Sequence, residues 1–163
     1  MTPISPQDAL RSPSAYPDPP DSIEVVETHG SWVFLAGERA YKLRKPVVFP
    51  FLDYGSAERR RHMAEEELRL GRRLAPRIYV GLRPLVETDR SWALGAEGAA
   101  GSEYVVEMRR FDADQTLAAL LKRNRAGAEL IRMIAGRIAA FHREAAHPPP
   151  CLLYTSPSPR DRS

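Results

Sequence analysis

Residues 31–44 read SWVFLAGERAYKLR, two strand-like runs joined by Gly37-Glu38. β-branched and aromatic residues on either side of a glycine-containing turn mark a hairpin. Because side chains alternate across a strand, Trp32, Phe34 and Ala36 share one face of the first run, while Tyr41 and Leu43 oppose Ala40, Lys42 and Arg44 in the second. Upstream, residues 23–28 and the turn His29-Gly30 add another strand, which makes an antiparallel meander. Downstream, Pro46 and Pro50 bracket a loop carrying Phe49, Phe51 and Tyr54. Ser56 is the expected N-cap of a helix from Ala57 to Leu74, which Pro76 stops. Residues 77–86, 91–94 and 103–108 read as further strands, with a glycine-rich turn at 95–101. Residues 115–122 and 128–145 read as helices, the second with Leu130, Ile134, Ile138 and Phe141 at helical spacing. Strands first and helices later predict an α+β fold.

Composition narrows the function. A chain of 163 residues with 43% hydrophobic content can bury one core, and no apolar run approaches a membrane span. Residues 1–22 hold Pro3, Pro6, Pro13, Pro17, Pro19 and Pro20 without the pattern of a secretory signal, and are expected to be a disordered or extended leader. The single cysteine, Cys151, forms no internal disulfide, which agrees with a cytoplasmic protein. The 24 basic and 21 acidic residues are interspersed, without the basic stripe of a nucleic-acid binder. Arg59-Arg60-Arg61-His62, with Arg69, Arg72 and Arg73, is diluted by Glu65, Glu66 and Glu67 and reads as a solvated helix face. His29, His62, His142 and His147 lack metal-ligand spacing, and Ser14, Ser31, Ser91 and Ser102 lack the context of a nucleophile elbow. Residues 151–162 follow the break His147-Pro148-Pro149-Pro150 and show no periodicity, so an unstructured tail is expected over residues 147–163. Residues 151–161 resemble the conceptual translation of a sequencing adapter, and the natural reading frame is expected to continue beyond residue 150.

Only three of the 24 basic residues are lysines, Lys42, Lys45 and Lys122, and two of them fall in and just after one strand. The helix that follows places Glu67 within the stripe of Met63, Leu70 and Leu74. A carboxylate on a face that packs against a sheet is expensive unless a cation meets it. Lys42 is the candidate partner, with Glu66 as the alternative carboxylate. Spacing alone leaves a second reading open, in which the helix is rolled so that Glu67 joins Glu65 and Glu66 on a solvated charged face.

The spacing of alanine and lysine in Ala40-Tyr41-Lys42, on the third strand before a helix, resembles the corresponding strand of protein kinases. Residues 27–85, ETHGSWVFLAGERAYKLRKPVVFPFLDYGSAERRRHMAEEELRLGRRLAPRIYVGLRPL, and 103–111, EYVVEMRRF, are similar to the start of aminoglycoside phosphotransferase-like kinases, of the bacterial type found alone or fused to a P-loop ATPase. The resemblance implies a protein-kinase-like small lobe of about five antiparallel strands and one helix at 23–108, then a hinge and the first large-lobe helices at 109–146. It implies ATP as ligand, with Lys42 on the α- and β-phosphates, Glu67 fixing Lys42, and Ala40 covering the adenine. Glu107, Met108 and Arg109 would be the hinge whose backbone meets the adenine edge. His142, on the first large-lobe helix, would pack or cap there. Mg²⁺ and a small hydroxyl-bearing acceptor are implied for the full-length protein.

The first hairpin has Gly30 alone where protein kinases carry a glycine-rich loop. After residue 146 there is no catalytic-loop aspartate and no metal-binding asparagine or aspartate, so no catalytic residue and no metal ligand is assigned, and Asp112 and Asp114 read as turn and N-cap residues. Two functions stay open: the ATP-binding lobe of a small-molecule kinase, and a noncatalytic nucleotide-binding or regulatory module acting with a partner ATPase. In either case the chain alone is expected to transfer no phosphate.

Overall fold

The structure, a computed structural model, describes residues 4–89 and 91–145. The alternating run that opens the fold becomes three consecutive strands, β1 (Ile23–Glu27), β2 (Ser31–Ala36) and β3 (Arg39–Arg44). Gly37 turns the second into the third at φ 57°, a backbone region that glycine reaches without a Cβ clash. The loop bracketed by prolines is a short hairpin of its own, β4 (Val48–Phe49) and β5 (Leu52–Asp53). Helix α2 (Ala57–Leu74) follows, then β6 (Tyr79–Glu87), β7 (Trp92–Leu94) and β8 (Glu103–Arg109). The main sheet has six strands in the order β1-β2-β3-β8-β6-β7, every pair antiparallel. The architecture is α+β, with one strand more in the sheet than the expected five or so. The expected boundary at 108/109 falls inside β8.

The helix begins where the sequence places it, with Ser56 Oγ accepting from the Arg59 amide at 3.2 Å. Its roll differs. Met63, Leu70 and Leu74 are 36%, 48% and 46% exposed, whereas Ala64 is fully buried and Arg60, Glu67, Leu68 and Gly71 are partly so. Small residues decide this roll, because they let the helix axis approach β8 and β6. A Cβ on Gly71 would stand 2.4 Å from the Tyr79 ring.

The larger difference is the leader, which packs against the sheet. It forms a turn of helix, α1 (Pro6–Ala9), and a 3-10 turn at Pro13–Ala15. Leu10, Ala15 and Tyr16 join Phe34, Ala36, Tyr41, Leu43, Leu85, Leu94 and Val105 in one core. The Tyr16 hydroxyl donates to the Leu10 carbonyl at 2.7 Å, and Trp92 Nε1 donates to the Ile4 carbonyl at 3.0 Å. Prolines stiffen such a segment without needing regular hydrogen bonds, so its few large apolar residues dock with little chain entropy to lose.

The chain divides into two compact units, Met1–Ala113 and Asp114–Ser163. In the second, α3 (Leu117–Lys122) is capped by Thr116 Oγ1, which accepts from the Ala119 amide at 3.3 Å. Asp114, read as a possible cap, instead pairs with Arg123 at 2.6 Å. Helix α4 (Ala128–Glu144) buries no residue, and Ile131, Met133 and Ile138 are exposed. His142 is exposed near its end, with its ring 6.1 Å from that of Phe141. The tail expected to be unstructured, residues 147–163, lies outside the described residues. No helix among the described residues is long and apolar enough to cross a membrane.

Candidate functional site

The register of the sheet sorts its side chains onto two faces. Leu35 pairs with Glu24 and Ala40, Val33 with Val26 and Lys42, and across the other side Ala40 pairs with Met108 and Lys42 with Val106. Directly opposed residues share a face, so Glu24, Val26, Val33, Leu35, Ala40, Lys42, Val106 and Met108 lie together. The opposite face carries the core into which the leader packs.

On the first face Lys42 Nζ donates to Glu67 Oε1 at 2.9 Å and Oε2 at 3.0 Å. Lysine and glutamate side chains are 29% and 18% exposed, so the pair is half-shielded from water and still open to it. The spacing reading that put Glu67 toward the third strand holds, although Met63, Leu70 and Leu74 do not point inward with it. Glu67 sits at the edge of the buried stripe, where Ala64 and Gly71 make the contact. Glu66 turns to Arg69 at 2.7 Å, which lowers its pKa through the hydrogen bond from that guanidinium. It plays no part in holding Lys42.

One neighbour of the pair, Arg44, and a separate ion pair of α2, Arg60 with Glu103, are absent from the sequence-based site. Arg44, whose side chain is 4% exposed, donates to Glu67 Oε2 at 2.6 Å. Strand alternation already placed Arg44 on the face of Lys42, and that signal was available. Arg60 hydrogen-bonds Glu103 with both Nε and Nη2, tying α2 to the start of β8. Nothing in the sequence separates Arg60 from the arginines beside it.

The expected hinge divides. Met108 faces the same way as Ala40 and Lys42, but the Glu107 side chain lies on the other face, 3.5 Å from Arg39 and 3.8 Å from Arg83. Burial pushes the Tyr41 hydroxyl pKa up, and the neighbouring Glu107 charge adds to it. Residues 107–109 are strand residues flanked by β3 and β6, and the Arg109 amide donates to the Ile78 carbonyl at 2.8 Å. Their backbone is engaged in the sheet, and beyond it the Arg110 amide donates to the Glu38 carbonyl at 2.8 Å. There a cavity of about 820 Å³ is lined by Glu24, Leu35, Gly37–Arg39 and the segment from Arg109 to Ala113. Lys42 does not line it.

Among the described residues no group of three or more His, Cys, Asp or Glu side chains is placed to hold a metal ion.

No family model matches the chain, and no solved structure matches it. It is 37% identical over 123 residues to the uncharacterized proteins Rv2004c of Mycobacterium tuberculosis and Mb2027c of Mycobacterium bovis. The match takes in 76% of this chain and 23% of each relative, so the chain spans about a quarter of the length of the curated relatives it matches.

Proposed function

We propose that Met1–Ala113 is the nucleotide-binding lobe of an aminoglycoside phosphotransferase-like kinase. The observation that carries this reading is the Lys42–Glu67 pair, held where the apolar shelf of Val26, Val33, Leu35 and Ala40 meets α2. Lysine suits the task because its ammonium is a compact charge that can follow a phosphate, and Glu67 fixes its direction. With Arg44 the cluster holds two cations and one carboxylate, a formal surplus of one positive charge that favours a polyphosphate. Ala40, 6% exposed, presents only a methyl group and leaves room for a flat ring. The base would be met by Met108 and by the backbone after Arg110, beside the cavity there. This placement moves the backbone contacts of the expected hinge Glu107-Met108-Arg109 to the residues beyond Arg110.

The ATP reading fits these residues. Mg²⁺, which the same family implies, finds no set of ligands among the described residues. The part assigned to this chain is therefore to bind and orient the nucleotide, and phosphoryl transfer is assigned to the whole protein. Titration of the full chain with a fluorescent ATP analogue tests the reading. Saturable binding, weakened about tenfold or more by Lys42→Met, is expected for a lost phosphate contact. Equal binding by the wild type and Lys42→Met, or none by either, would sink it.

A further inference from the structure

Glu67 answers to two cations, and the second sits deeper than the first. The Arg44 side chain is 4% exposed, against 29% for Lys42. Its Nη2 donates to Glu67 Oε2 at 2.6 Å and to the Met63 carbonyl at 2.7 Å. Met63 lies one helical turn before Glu67, so a single nitrogen grips both the backbone of α2 and its carboxylate. The guanidinium stands 5.5 Å from the Tyr54 ring centroid, while Nε and Nη1 are buried without a hydrogen-bond partner. The hydrogen bonding of this buried cation therefore passes through Nη2 to α2.

A lysine that serves a phosphate divides its ammonium between that phosphate and its glutamate. If Lys42 were the only partner, Glu67 would then depend on a shared cation in a half-buried site, where a weakened partner is strongly destabilising. Arg44 removes that conflict. We infer that Arg44 is a positioning residue that keeps α2 and Glu67 on the sheet whether or not Lys42 is engaged, so that the Lys42 ammonium can share its hydrogen bonding with an anion while Glu67 stays in place. The sharing of Lys42 with a phosphate rests on the nucleotide-binding reading above; the hold on α2 rests on the geometry alone.

The test pairs two measurements on the full chain: amide hydrogen exchange over residues 60–74, and binding of a fluorescent ATP analogue. Lys42→Met should weaken the analogue and leave α2 protection within about twofold of wild type, whereas Arg44→Met should speed exchange by about tenfold or more and weaken the analogue although Lys42 is present. Methionine keeps most of the arginine stem and removes its donors, and Arg44→Lys returns one donor near the position of Nη2. Arg44→Lys should therefore recover most of the protection and the affinity, which separates the hydrogen bond from bulk packing. Should Arg44→Met fail to fold, Glu67→Gln takes its place. It weakens both cation contacts and should expose α2 to exchange more than Lys42→Met does. The inference is overturned if Lys42→Met opens α2 as far as Arg44→Met or Glu67→Gln, or if Arg44→Met leaves exchange unchanged. If the wild type binds no analogue, the nucleotide reading falls, and the exchange comparison still decides the role of Arg44.

Discussion

The two faces of the sheet are closed by different means. One is covered by the proline-rich leader through apolar burial, with Leu10 and Tyr16 set among Phe34, Tyr41, Leu85 and Val105. The other meets α2 through small residues and charge, with both Lys42 and Arg44 on Glu67, and Arg60 further ties the helix to Glu103 at the start of β8. Apolar burial is strong and undirected, so it suits a face that has only to stay closed. Paired charges contribute less net stability because desolvation offsets their attraction, but they fix particular atoms in particular places. The contrast separates the part of the sheet domain that supplies stability from the part that supplies geometry.

The largest expected effect tests the stabilising face. Leu10→Ala removes a side chain with no exposed surface and should cost about 2–5 kcal/mol in denaturant unfolding, the range for buried leucine truncations. A loss below about 0.5 kcal/mol, typical of surface positions, would mean the leader is no part of the core. Among the charged contacts of α2, Glu103→Gln leaves Arg60 without its carboxylate, the arginine side chain being 11% exposed and the glutamate 15%. The expected cost is about 1–3 kcal/mol, the penalty of an underpaired buried group. If this exceeded the effect of Leu10→Ala, the contrast between the faces would be reversed.

The smallest effect sharpens the comparison through pH. Burial raises the Tyr16 pKa above its ordinary value of 10.0, with a further contribution from Tyr41. The folded state thus favours the neutral phenol, and that contribution is fully present below pH 10 or so and is lost as pH rises, because the unfolded chain ionises first. Tyr16→Phe should cost about 1 kcal/mol at neutral pH by deleting the bond to the Leu10 carbonyl, and should flatten the loss of stability above pH 10 or so. An unchanged alkaline slope would show that the leader is already detached when the tyrosine titrates.

Local rules made much of the sheet domain legible. Period-two alternation from residue 23 to 44, turns at glycine and a serine cap at 56 depend on near neighbours, and they fixed the meander, the start of α2 and the shared face of Ala40, Lys42 and Arg44. Alternation and helical spacing together made Lys42 and Glu67 candidate partners, although the stripe used to orient the helix was the wrong one. Roll depends on which residues let two backbones approach, so Ala64 and Gly71 outweighed the larger Met63, Leu70 and Leu74. Where β8 leaves the sheet, and so which of the expected hinge residues are strand, is set by its partners β3 and β6. The leader was read from its composition as loose, because proline content reports a lack of regular hydrogen bonding and says nothing of what the segment lies against. The amino-acid sequence by itself determined the strands, the cap and the chemistry available on each face. Only the tertiary structure decided that Leu10 and Tyr16 are core and that Glu67 is shared between two cations, since burial and charge pairing are properties of distant residues brought together.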